Sequence, residues 1–227
     1  MPNILALDTS TDACSVALSL NGKVTEDYRI IPRQHTQQLL PMVQDILSSA
    51  GMHVSDLDAL AFGRGPGSFA GIRIATGVTQ GLAYAADLPV LPISTLEALA
   101  LAAHRHEQAT FVAAALDARM DEIYVAVYDL QSGYPEIVQP EKVCAPDAFE
   151  LELENCFGVG SGWRYLSDMT DTVRSSLQLS AESYYPSALD MLKLAERDFL
   201  HGKAVVAEQA LPVYLRDEVA WKKKDQQ

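Results

Sequence analysis

LDTSTDACSVAL, residues 7–18, and LDARMDEIYVAV, residues 116–127, decide the fold, because the second stretch repeats the first. Leu7, Asp8, Asp12, Val16 and Ala17 recur as Leu116, Asp117, Asp121, Val125 and Ala126, all at one offset close to half the chain. Each copy sets an apolar run, ILAL or FVAAAL, ahead of an aspartate, then a polar turn, then a second strand-like stretch. That pattern is a β-hairpin with an acid at its mouth. FGRGPG, residues 62–67, and FGVGSG, residues 157–162, follow in the same order as F-G-x-G-x-G, at an offset that requires a shorter second half. The chain therefore reads as one α/β design used twice, in two lobes. The first lobe is expected over residues 1–100, with a hairpin, two helices and the glycine-rich loop. The smaller second lobe is expected over residues 101–227, its C-terminal segment free to return to the first. No Gly/Ser linker lies near Leu91–His104, so the lobes should pack on each other.

Helices fill the intervals. Leu39, Met42, Val43, Ile46 and Leu47 follow the i, i+3, i+4, i+7, i+8 pattern, with Gly51 placed to end the helix and Pro41 removing one hydrogen bond. A second helix, Ile72 to Ala86, is rich in small residues, among them Ala75, Gly77, Gly81 and Ala85. Each interior glycine costs up to about 1 kcal/mol, so close approach by another backbone is the expected reason for the pair. A third helix begins after the capping residue Ser187 and ends by Gly202; the polar tail KKKDQQ is expected to fray.

Composition narrows the class. With 48% hydrophobic and 21% charged residues in 227, the chain is an ordinary globular protein. Thirty acidic residues against 17 basic ones give a formal charge of −13. Phosphate binding through counterion release needs clustered Lys and Arg, so direct nucleic-acid binding by this chain alone is not expected. Cys14, Cys144 and Cys156 show no CxxC spacing and read as reduced thiols of a cytoplasmic protein. The opening MPNILALD has no basic leader, and no apolar run is long enough to span a bilayer, so no membrane partner is expected.

Chemistry-bearing motifs are sparse. GRGPGSFAG invites an anion-cradle reading, since it follows a strand and opens a helix. Pro66 removes an amide from that cradle, however, and Ile72 stands after Gly71 where a P-loop has lysine. A tight strand-to-helix turn explains the same glycines. Asp8, Thr9 and Ser10 could hold phosphate with a hydrated Mg²⁺, or simply form the hairpin turn. In the second copy Ala118, Arg119 and Met120 are too bulky to wrap a phosphate. The five histidines form no HExxH or HxxxH pair, Ser68 sits in no GxSxG elbow, and Ser94-x-x-Glu97 reads as a capping box. Neither a catalytic set nor a metal site is expected.

ILALDTSTDACSVAL, FGRGPGSFAGIRIATG, LDARMDEIYVAVYD and the late PVYLR together resemble the bacterial TsaB (YeaZ) family over essentially the whole chain. The resemblance implies a duplicated actin/Hsp70/sugar-kinase-like fold (ASKHA, ribonuclease H-like), each lobe a mixed sheet flanked by helices. It also implies a non-catalytic subunit, without cofactor, that pairs with the catalytic subunit TsaD in forming N6-threonylcarbamoyladenosine in tRNAs reading codons that begin with A. The ATPase TsaE would join that complex, tRNA would be reached only through it, and the chain alone would form a homodimer. TsaD-like proteins hold a metal through a pattern like NHLEGH; Ser94–Leu99 stands in its place, with Thr95 and Leu99 at the histidine positions. Partner contacts are expected from His35, Leu39 and Met42 on the first helix and from Ile74, Gly77, Val78 and Gly81 on the second, with Leu39, Val43 and Ile46 also satisfying the sheet-facing side within the lobe. Asp8, Thr9, Ser10, Gly65 and Gly67 would be a vestigial phosphate loop. The alternative is an ATPase or phosphotransferase that uses Asp8, Thr9 and the glycine loop.

Overall fold

The computed structural model describes residues 1–180 and 184–216. The first half runs β1 (Ile4–Asp8), β2 (Ala13–Leu20), β3 (Lys23–Ile30), α1 (His35–Ala50), β4 (Ala59–Gly65), α2 (Phe69–Ala86), β5 (Val90–Ser94) and α3 (Thr95–Glu107). The second runs β6 (Phe111–Arg119), β7 (Glu122–Asp129), β8 (Glu136–Cys144), β9 (Cys156–Val159), α4 (Asp171–Ser176), β10 (Leu177–Leu179) and α5 (Ala188–Leu200). The two sheets have the orders β3-β2-β1-β4-β5 and β10-β9-β6-β7-β8. Read from opposite edges, these are one order used twice. In each, an antiparallel hairpin (β1–β2, β6–β7) is followed on its other side by a parallel strand, β4 or β9, that carries the F-G-x-G-x-G stretch. The second copy is shorter because a 3₁₀ turn, Pro146–Ala148, stands where the first has α1.

Alternation along the strands sets the layers. Leu5 and Leu7 face one side of the first sheet, with Leu39, Met42 and Ala75 of α1 and α2, whereas Ile4 and Ala6 face the other, with Met191 and Leu192 of α5. Ala113, Val125 and Val127 face outward from the second sheet against Phe149, Trp163 and Val173, while Val112, Ala114 and Leu116 turn inward to the core shared with α3 and α5. The molecule is thus a sandwich of helices, sheet, helices, sheet and a thin outer helical layer. The two middle helices change sides. α3 follows a strand of the first sheet yet packs mainly on β6, β7 and β9, and α5 follows the second sheet yet packs on β1, β2 and β4. The expected division between residues 100 and 101 falls inside α3.

Local chemistry explains the ends. Gly51 closes α1 at φ 67°, where a side chain would be strained. Pro41 is exposed and α1 continues through it. α2 begins three residues before Ile72, because the Ser68 hydroxyl accepts from the Gly71 N–H and so adds a turn. Ser94 caps α3 by accepting from the Glu97 N–H, but among the described residues the Glu97 carboxylate makes no return bond, so only half of the expected capping box forms. Cys14 and Cys156 are buried, their thiols pushed up to about 12 by desolvation, and Cys144 is half-buried. No helix among the described residues is long and apolar enough to cross a membrane. The KKKDQQ tail, with Lys222, Lys223 and Lys224, lies outside the described residues.

Candidate functional site

Asp8 ends β1 and is wholly buried. Its Oδ2 accepts from the Ser10 N–H (3.0 Å) and the Ser10 hydroxyl (2.8 Å), while Oδ1 has no hydrogen-bond partner among the described residues and lies against Gly63 of β4. Desolvation raises the carboxyl to about 7, against the opposing pull of the Ser10 and Thr9 bonds. The glycine loop closes directly over this turn. The Ser68 N–H donates to the Ser10 carbonyl (2.7 Å) and the Thr9 hydroxyl to the Gly71 carbonyl (2.6 Å). A Cβ on Gly67 would stand 2.5 Å from the Ser10 carbonyl oxygen, and one on Gly71 would overlap that of Thr9. The glycines let two backbones touch, the loop resting directly on the Thr9–Ser10 turn.

The second hairpin is different. Asp117 is tied by the Arg119 N–H (2.8 Å) and lies beside Arg164 (3.4 Å) and Tyr165. Arg119, Met120 and Asp121 have φ of 62°, 56° and 57°, three successive left-handed residues without a glycine. Thr95 and Leu99 are both buried, Leu99 facing Gly160 of the second glycine stretch. No group of three or more His, Cys, Asp or Glu side chains able to hold a metal occurs among the described residues. One hydroxyl and one aliphatic side chain do not replace two imidazole ligands, so the residues present do not fit a TsaD-like metal.

The helical face divides the expected partner residues. On α1, His35, Leu39 and Met42 are buried; His35 Nε2 donates to the Ala13 carbonyl (3.1 Å), and the other two fill the core under the first sheet. The burial of His35 and Met42 is a correction to the expected partner face, whereas Leu39 stands on the sheet side with Val43 and Ile46 as expected, because the same periodicity that marks an apolar stripe also marks the sheet side. α1 instead exposes Gln37, Leu40, Pro41 and Gln44. On α2, Gly77 and Gly81 are exposed, and a Cβ on either would meet nothing within 4 Å. Among the described residues no backbone beyond that of the helix itself approaches them. Ile74 and Val78 are half-buried beside them, and Arg73 and Tyr84 complete an outward stripe at i, i+4, i+8 and i+11. Tyr84 is 75% exposed.

Sequence reading missed a polar link between the lobes. Glu141 of β8 lies 3.3 Å from Arg64 of β4 and accepts from the Ser94 hydroxyl, with the half-buried Glu97 carboxyl raised by desolvation nearby. Glu97 also lines a shallow open cleft with Ile137, Arg197 and Lys203. Arg64 was visible in FGRGPG, but nothing local announces its partner 77 residues away.

Residues 29–224 match the family model described as TsaD, tRNA N6-adenosine threonylcarbamoyltransferase. The chain is 46% identical to the tRNA threonylcarbamoyladenosine biosynthesis protein TsaB of Escherichia coli (strain K12), with 97% of each chain covered. It is 44% identical to the protein of the same name from Haemophilus influenzae, over 97% of this chain and 96% of the relative. The solved structure of YeaZ from Pseudomonas aeruginosa is similar at a TM-score of 0.90 and 50% identity, covering 95% of this chain and 100% of that one.

Proposed function

This chain belongs to the TsaB (YeaZ) family and has a role in tRNA threonylcarbamoyladenosine biosynthesis, and we propose that within that role it is a non-catalytic subunit whose α2 face docks the catalytic subunit TsaD. The exposed pair Gly77 and Gly81 carries the reading. Two glycines in the middle of an 18-residue helix destabilise it by up to about 1 kcal/mol each, and no neighbour among the described residues needs the space. A helix of a partner laid along them could approach closer than the usual 8 to 10 Å, flanked by Ile74, Val78 and Tyr84. The close seating of the glycine loop on the turn after Asp8 and the residues at positions 95 and 99 support the absence of catalysis by this chain.

The rest of the reading follows from one face serving one partner at a time. TsaD displaces a second copy of this chain from α2, TsaE joins the pair, and tRNA is engaged through the complex in the cytoplasm, the net charge of −13 disfavouring contact by this subunit alone. Light scattering on an equimolar mixture with TsaD tests the core of it: a stable heteromer is expected, and two unmixed species would refute the docking. Phosphate release from ATP by the isolated chain, abolished by Asp8→Ala, would instead establish the ATPase reading.

A further inference from the structure

The last described residues cross from one lobe to the other. Val205 forms an antiparallel bridge with Val90 at the edge of β5, and Gln80 of α2 donates to the Ala210 carbonyl (3.0 Å). The Val213 N–H donates to the Arg64 carbonyl at the end of β4 (2.8 Å), and the Val213 carbonyl stands 3.2 Å from where a Cβ of Gly65 would be. Tyr214 accepts from Arg73 Nε (2.8 Å) and lies 5.8 Å, ring to ring, from Phe69, whose face Arg73 also covers at 3.8 Å. All of these partners are in the first lobe.

Arg216 reaches the second. Its Nη2 donates to the carbonyls of Ala118 (3.2 Å) and Arg119 (3.3 Å) and to the Glu122 carboxylate, and Nη1 points at the Met120 sulfur (3.5 Å). These groups belong to the hairpin turn in which Arg119, Met120 and Asp121 are left-handed in succession. Such a run persists only where its surroundings hold it, and the guanidinium gathers the turn's own carbonyls.

We propose that residues 210–216 are a strap that locks the two lobes in one relation across the glycine loop, with Arg216 as its latch on the second hairpin. Two-lobed proteins commonly move about the joint between lobes. Here, parting the β4 end from the second hairpin requires release of the Arg216 fork or of the Val213–Arg64 bond. The latch residues are partly solvated, Arg216 at 20% and Glu122 at 36% side-chain exposure, so added salt should loosen it.

Amide hydrogen exchange on the full chain tests this, with the Val213 amide as reporter. Arg216→Ala removes the latch from the strap, and Glu122→Gln weakens it from the other lobe without altering the strap's sequence. Both should speed Val213 exchange, about tenfold or more for Arg216→Ala, while β1 amides keep wild-type protection. The exchanged pair Arg216→Glu with Glu122→Arg should recover part of the loss. An unchanged Val213 amide in Glu122→Gln overturns the strap. So does equal acceleration in β1, which would make the contact a contributor to general stability only.

Discussion

Asp8 holds one oxygen on Ser10, the other has no hydrogen-bond partner among the described residues, and desolvation by burial raises the carboxyl to about 7. The folded protein keeps the proton between about pH 4 and pH 7 while the unfolded chain, with the ordinary value of 3.8, has lost it. Stability should therefore fall as pH rises through that window and level off above it, by about 4 kcal/mol at most. Asp8→Asn keeps an acceptor for Ser10 and removes the titration. Denaturation midpoints at pH 5 and pH 8 should converge in the variant relative to wild type, and an identical pH response in both would show that Asp8 is not desolvated. Glycines of α2 divide just as sharply. Gly71→Ala drives a Cβ into the Thr9 carbonyl and should cost about 1 to 3 kcal/mol, whereas Gly77→Ala meets open space and should stabilise the monomer by about 0.5 to 1 kcal/mol. In FAGIRIATG the two glycines look alike, and only the position of the first hairpin over Gly71 tells them apart.

At the scale of the element, α2 is the proposed docking helix and α1 its support. Gly77→Leu should leave the melting temperature near that of wild type, since no described residue lies within 4 Å of a Cβ at that position, and weaken heteromer formation with TsaD by about 2 kcal/mol or more through steric exclusion. Paired thermal melts and binding titrations on this variant decide the matter: a collapsed melt with unimpaired binding by the folded fraction would assign the glycines to the core. Both helices were legible as helices because an apolar stripe every three to four residues is a local property. The side that looks outward was legible for α2, where small residues interrupt the stripe. For α1 the sheet side was legible in Leu39, Val43 and Ile46, but His35 and Met42 were misplaced, since the sheet uses up the whole apolar stripe.

At the scale of the molecule, the lobes are joined through exchanged helices, the Glu141 link and the C-terminal crossing. Glu141→Ala removes the partner of the Arg64 guanidinium and the Ser94 hydroxyl in a partly buried site and should cost about 1 to 3 kcal/mol in urea denaturation, with Arg64→Ala adding little more in the double variant. Full additivity of the two would mean that the residues do not act together. The sequence by itself determined the duplicated plan, with its hairpins, its glycine stretches on the equivalent fourth and ninth strands and its shorter second half, because alternation, turn residues and repeats are written within a dozen neighbours. It also determined the loss of histidines at positions 95 and 99. Only the tertiary structure decided that α3 and α5 pack on each other's sheets, that the glycine loop rests on the turn of the first hairpin, and that Arg216 meets Glu122. These are pairings of groups from distant parts of the chain, and their free energy depends on which surfaces meet after the elements have formed.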